Sequence, residues 1–208
     1  MSHILRWLAA PLALALVLCH APADEANRPP PKAAYDLTGG FRVAHFGKDG
    51  GVRALLLIHD DRARRYEASV ADLVSGKVVS GPMAHDHAIQ NASFSPDGTR
   101  VVTSSWDKTA VWDAATGGVT AGPLKHEGVS HAAFSPDGTR VVTASWDKTA
   151  CVWDATTGKL LVGPLKNDSE VFYALFSPDG TRIVTQCYGS ATLWDAATGK
   201  LLGRATVN

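Results

Sequence analysis

The stretch from Phe134 to Lys159, FSPDGTRVVTASWDKTACVWDATTGK, constrains this chain more than any other, because it is written three times. A first copy runs from Phe94 to Gly118 (FSPDGTRVVTSSWDKTAVWDAATGG), and a third runs from Phe176 to Lys200 (FSPDGTRIVTQCYGSATLWDAATGK). The Trp-Asp pairs end at Asp113, Asp154 and Asp195, so the period is the same both times (154 − 113 = 41 and 195 − 154 = 41). A fixed period of that length means small units stacked on one another, since each can bury its apolar faces only against its neighbours.

Each copy reads as short strands separated by turn residues. Ser95-Pro96-Asp97-Gly98, repeated at Ser135–Gly138 and Ser177–Gly180, suits a type I turn. Proline pre-sets φ, aspartate bonds to local backbone and glycine closes the turn. The runs Val101-Val102-Thr103, Val141-Val142-Thr143 and Ile183-Val184-Thr185 follow, and β-branched residues fit a pleated, half-buried surface. Asp-Lys-Thr (Asp107–Thr109, Asp147–Thr149) then reverses the chain into a strand ending in Trp-Asp. Asp113–Gly117 and Asp195–Gly199 turn it once more. A last strand closes at Gly81-Pro82, Gly122-Pro123 and Gly163-Pro164, because proline tolerates only an edge or a strand end. Four strands within one such period leave no room for a helix, so the sequence predicts an all-β chain of four-stranded antiparallel sheets.

In order and spacing, the FSPDG turn, the SWDKT hairpin, the VWD strand end and the ATGK turn resemble the WD-repeat β-propeller family. The resemblance covers about residues 84–208 and implies propeller blades, each braced by a hydrogen-bonded set. That set comprises a His before the blade, a Ser on the second strand, an Asp in the hairpin and a Trp on the third strand. It falls on His85, Ser105, Asp107 and Trp112 in one copy and on His126, Ser145, Asp147 and Trp153 in the next. In the last copy Asn167, Cys187 and Gly189 stand in the His, Ser and Asp places, so its brace is expected to be lost, leaving Trp194 alone. The first copy's hairpin is one residue short: Asp107 to Trp112 is five steps, Asp147 to Trp153 six. A one-residue slip would flip every side chain of a strand, so the turn must absorb the loss.

Upstream, Arg6 is the only charged side chain of residues 1–23, followed by the apolar run Trp7–Cys19 and Ala21-Pro22-Ala23. That is the pattern of a secretory signal peptide, with cleavage after Ala23. The run from 7 to 19 is too short for the ~20 apolar residues of a spanning helix. Residues 24–34, with Pro29-Pro30-Pro31, read as a Pro-rich linker. Residues 35–83 read as a fourth, worn copy. Phe46-Gly47-Lys48-Asp49-Gly50 stands where FSPDG would be, Ala54–Ile58 is strand-like, and Ala71-Asp72 replaces Trp-Asp. The gap from Asp72 to His85 equals the gap from Asp113 to His126, which supports the register. The propeller domain is thus expected over 35–208, with blades at about 35–83, 84–124, 125–165 and 166–208.

Propellers close with 4 to 8 blades, and the resemblance implies wedges cut for a ring of about seven. Four of them predict an incomplete or open propeller, whose exposed strand edges invite self-association. The chain is otherwise a truncated fragment of a larger WD-repeat protein.

Lys and Arg number 20 and Asp and Glu 20. Removing the signal takes away Arg6 alone, so the mature chain stays close to neutral, with one acidic residue in excess. Such a chain lacks the positive field that nucleic acid binding needs. Arg62, Arg64 and Arg65 read as a solvated hairpin tip. The mature chain keeps Cys151 and Cys187, on different copies and at different strand positions, which points to buried free thiols.

No constellation for catalysis, metal or cofactor emerges. Thr198-Gly199-Lys200 is the tail of a phosphate-loop pattern, but it lacks the upstream glycine and recurs at Thr157-Gly158-Lys159 as turn chemistry. His85 and His87 could share a metal, yet no third ligand stands near them in sequence. The position before each hairpin Asp carries Trp106, Trp146 and, in the worn copy, Tyr188. These aromatics either pack between blades or form, with Lys108 and Lys148, an arc that docks a partner protein. The expected function is an exported, secreted or periplasmic, non-catalytic scaffold for protein–protein interaction, binding neither nucleic acid nor cofactor. The alternative is a ligand binder or enzyme with a site in the central channel. For that reading the innermost strands, Asn91–Phe94 and Ser130–Phe134, offer His131 and little else.

Overall fold

The computed structural model describes residues 40–46 and 51–206. The signal segment, the linker, the start of the worn copy (35–39) and most of its first turn (47–50) lie outside the described residues. The alternation of β-branched runs and turns yields strands and, among the described residues, no helix. The first sheet holds β1 (Gly40–Phe46), β2 (Val52–Asp60), β3 (Arg65–Asp72), β4 (Lys77–Val78) and β5 (Met83–His85). The second holds β6 (Ile89–Phe94), β7 (Arg100–Ser105), β8 (Thr109–Asp113) and β9 (Val119–Leu124). The third holds β10 (Val129–Phe134), β11 (Arg140–Ser145), β12 (Thr149–Asp154) and β13 (Leu160–Lys166). The fourth holds β14 (Val171–Phe176), β15 (Arg182–Cys187), β16 (Ser190–Asp195) and β17 (Leu201–Thr206). Every sheet is an antiparallel meander in chain order, with β4 and β5 both pairing β3 in the first.

The worn copy keeps the backbone of the others. All four innermost strands carry a register shift, at equivalent places in the last three sheets (Ile89/Asn91, Val129/His131 and Val171/Tyr173) and two residues off, opposite Leu55 and Leu56, at Phe41/Val43 in the first. The outer strand differs. In the second and third sheets β9 and β13 run through Gly122-Pro123 and Gly163-Pro164 instead of ending there. Glycine at φ 131° and 136°, together with neighbouring register shifts, carries the strand past the proline. In the first sheet the outer strand breaks between β4 and β5, and Ser80 Oγ accepts the Val70 N–H at 2.8 Å in place of a ladder bond. The short hairpin also behaves as anticipated. Trp112 faces Val101 and Trp153 faces Val141 in the same register, so the missing residue is lost from the turn.

Consecutive sheets pack face to face, and the core lies between them. Leu55, Leu57, Val70 and Met83 meet Ile89, Val101 and Trp112. Val102, Val111 and Leu124 meet Val141 and Trp153 in turn. Val142, Val152 and Leu165 meet Val171, Ile183 and Trp194. Each interface therefore joins a valine- or leucine-bearing face to the next sheet's tryptophan-bearing face. The three tryptophans are all buried.

Candidate functional site

The candidate surface sits on the hairpins between the second and third strands of each sheet, and those hairpins are held by buried hydrogen bonds. In the third sheet Thr143 Oγ1 is the hub. It accepts the Trp153 indole N–H at 2.8 Å and lies 2.7 Å from His126 Nδ1. The other ring nitrogen of His126 lies 2.9 Å from Thr149 Oγ1 in the hairpin, and Thr149 donates to Asp147. Ser145 donates to the Glu127 carbonyl at 2.6 Å and accepts the Asp147 N–H. The serine thus fixes the hairpin, while a threonine joins histidine to tryptophan.

The second sheet repeats the hub at Thr103, which meets His85 Nε2 at 2.8 Å and Trp112 Nε1 at 2.7 Å. Ser105 donates to the His87 carbonyl. Register aligns Thr109 with Ala150, so the residue lost from this hairpin corresponds to the one that reaches the histidine. His85 Nδ1 is left 3.5 Å from Asp107 Oδ1, and neither it nor Thr109 Oγ1 finds a hydrogen bond among the described residues.

The fourth sheet corrects the expectation of a lost brace. Thr185 Oγ1 donates to Asn167 Oδ1 at 2.8 Å and accepts the Trp194 N–H at 2.9 Å. An amide oxygen replaces the imidazole, and Cys187 and Gly189 take no part in the hub. The threonine is visible in the sequence as the third letter of each β-branched run, but a serine two residues later competes for the same place.

Burial sets the electrostatics. Removal from water pushes His85 down to about 4, against the attraction of Asp107, and lowers His126 in the same way. At neutral pH both rings are uncharged. In the SPDG turns the Ser95, Ser135 and Ser177 hydroxyls hold the Asp97, Asp137 and Asp179 carboxyls at about 2.

The candidate partner-binding residues stand at equivalent hairpin positions of consecutive sheets. Trp106 is 60% exposed, Trp146 44% and Tyr188 87%. Trp146 meets Phe172 of the next sheet edge-on, with centroids 5.3 Å apart, so it both packs and projects. Lys108 Nζ lies over the buried Trp112 ring at 5.7 Å, and Lys148 is exposed with φ 74°. The Arg62–Arg65 loop is an exposed tip in which Arg65 pairs with Glu67.

The innermost strands spend their polar atoms on each other. Ser130 donates to Val171 O at 2.7 Å, and Asn91 accepts from Ala132 N–H at 3.3 Å. His131, brought to about 4 by burial, lies edge-on to Tyr173 at 5.1 Å. Among the described residues no three His, Cys, Asp or Glu side chains converge as metal ligands. Cys151 and Cys187 are buried free thiols, and burial raises Cys151 to about 11.

A clamp between sheets follows the SPDGT turns, and the sequence alone gives no sign of its partner. Arg100 donates to Gly138 O at 2.6 Å and lies 5.5 Å over Phe134; Arg140 donates to Gly180 O at 2.8 Å and lies 4.9 Å over Phe176. Arg53 reaches Gly98 O at 3.4 Å in the same manner.

Stacked four-stranded wedges bearing buried Trp-hydroxyl hubs define blades of a β-propeller. The family model "WD domain, G-beta repeat" matches residues 76–113 and 121–154, within the second and third repeats, which are similar to WD repeats. A crystal structure of the computationally designed Ika8 protein is similar in fold, with a TM-score of 0.62 at 22% identity. The match covers 81% of this chain and 62% of the designed one, so this chain spans less than two thirds of that protein's length. No curated protein matches the chain.

Proposed function

We propose that the chain is an exported, non-catalytic scaffold that docks partner proteins on the arc formed by Trp106, Trp146 and Tyr188 with Lys108 and Lys148. The exposure of three large aromatics at one hairpin position of consecutive sheets carries this reading, since anchors of this type dominate partner binding once covered. WD repeats suit such a role. Export rests on the Arg6-led apolar run and Ala21-Pro22-Ala23, outside the described residues. Self-association through the end sheets belongs to the same reading. Affinity capture with the mature chain tests it: a captured protein should be released by Trp106→Ala with Trp146→Ala at unchanged melting temperature. A sharp fall in melting temperature would make these aromatics packing residues and end the proposal.

A further inference from the structure

The outermost strands of the four sheets do not all guard their free edge. In the second sheet that strand pairs its neighbour at Val111↔Ala121 and Thr109↔Leu124, and in the third at Val152↔Val162 and Ala150↔Leu165. Between those pairs lie Gly122-Pro123 and Gly163-Pro164, two residues facing one, so a bulge breaks each ladder. In the first sheet the strand is divided into β4 and β5. The fourth sheet has neither device. Its matching pairs are Leu193↔Gly203 and Ala191↔Ala205, with Arg204 alone between them, and pairing runs unbroken from Gly203 to Thr206.

An edge strand turns alternate N–H and C=O groups away from its neighbour, and bulges, proline, interruption or charge keep foreign strands off them. β17 contains no proline, and its one charge, Arg204, pairs with Asp168. Leu201 and Leu202 are 50% and 46% exposed, and nothing lies within 4 Å of where a Cβ on Gly203 would stand. Among the described residues β17 pairs with β16 alone. Neighbouring sheets pack through their faces, so this edge lies open whichever sheets stand beside it.

We propose that β17 pairs antiparallel with β17 of a second copy of this chain, joining the two fourth sheets into one continuous sheet across a two-fold axis. The inference rests on the self-association within the scaffold reading and assigns it to one strand, apart from the aromatic arc. A strand edge is complementary to its own image, because the two-fold sets outward N–H groups opposite outward C=O groups of the copy. Charge favours the same occupant: with Arg204 held by Asp168, no uncompensated cation of one copy faces that of the other. Pairing also takes Leu201 and Leu202 out of water. A two-fold contact closes on itself, so the assembly stops at two chains.

Light scattering on the purified mature chain across a dilution series tests the proposal, with circular dichroism to verify folding. The expected mass is that of two chains. Arg204→Gly with a proline inserted after it copies the third sheet's bulge and should halve the mass at unchanged strand content. Leu202→Lys, a change at an exposed site that sets cations against those of the copy, should do the same. Asp168→Asn releases Arg204, so dissociation should shift to higher concentration in low salt and return towards wild type in high salt. Leu161→Lys, on the bulged outer strand of the third sheet, and Val184→Glu, exposed on β15, should leave two chains. A single-chain mass at every concentration overturns the proposal, as does a two-chain mass kept by a folded β17 variant or lost on Leu161→Lys or Val184→Glu. An open series of larger species overturns it too. Trp106→Ala with Trp146→Ala should leave the mass at two chains, so failure of the aromatic arc and failure of the strand pairing are read separately.

Discussion

His126 Nε2 and Thr149 Oγ1 lie 2.9 Å apart, and the preceding sheet has no residue to make the corresponding contact. One deletion in a hairpin leaves two buried polar atoms, His85 Nδ1 and Thr109 Oγ1, without hydrogen bonds among the described residues. Each such atom costs about 1–3 kcal/mol. Inserting a threonine after Lys108 together with Thr109→Ala rewrites this hairpin as its neighbour's. Because His85 Nδ1 then finds a partner and the stranded Thr109 hydroxyl is removed, the expected gain is about 2 kcal/mol by urea denaturation. No gain would mean that the turn itself opposes the insertion.

Thr143→Val removes the hub of the third sheet without changing its shape. It strands the Trp153 indole N–H and His126 Nδ1 in the core. A loss of about 2–4 kcal/mol in chemical denaturation is expected, against little change for Ser130→Ala, whose hydroxyl bonds only backbone carbonyls near the half-buried inner strand.

Acid should unfold the chain through its histidines first. His85 and His131 are lowered from 6.5 to about 4 by burial, so the unfolded chain binds protons that the folded chain refuses between those values. Their stabilisation is complete above pH 6.5 and disappears as pH falls towards 4. Melting temperatures should fall accordingly as the pH is lowered across that window. His126→Asn, which copies the Asn167 arrangement, should flatten that slope without collapse of the third sheet.

Gly117 sits at φ 73°, and a Cβ there would come within 2.4 Å of the Gly81 carbonyl oxygen of the preceding sheet. Both the left-handed backbone and the contact oppose a side chain. Gly117→Ala should lower stability by about 1–3 kcal/mol. An unchanged denaturation midpoint would show that the first and second sheets slide apart freely.

Much of the architecture could be read from the letters, because turn residues and β-branched runs act locally and recur at a fixed period. The first sheet is harder: Ala71 takes the tryptophan place and Leu56 the hub threonine's, yet the backbone keeps the antiparallel pairing and a register shift on its innermost strand. Main-chain pairing survives where side-chain signals fade. The brace was legible in its His and Trp but misassigned at its hydroxyl, since Thr103 and Ser105 are both buried and only distances separate their roles. The Arg100 clamp reaches across to Gly138 in another sheet, and nothing in a single sequence says which carbonyl a guanidinium will find.

Because each wedge leans only on those beside it, structural integrity is a nearest-neighbour quantity, akin to a row of dominoes held at their faces. Melting can start at an end wedge and travel inward, so the second and third sheets, each flanked on both sides, are the last refuge of order.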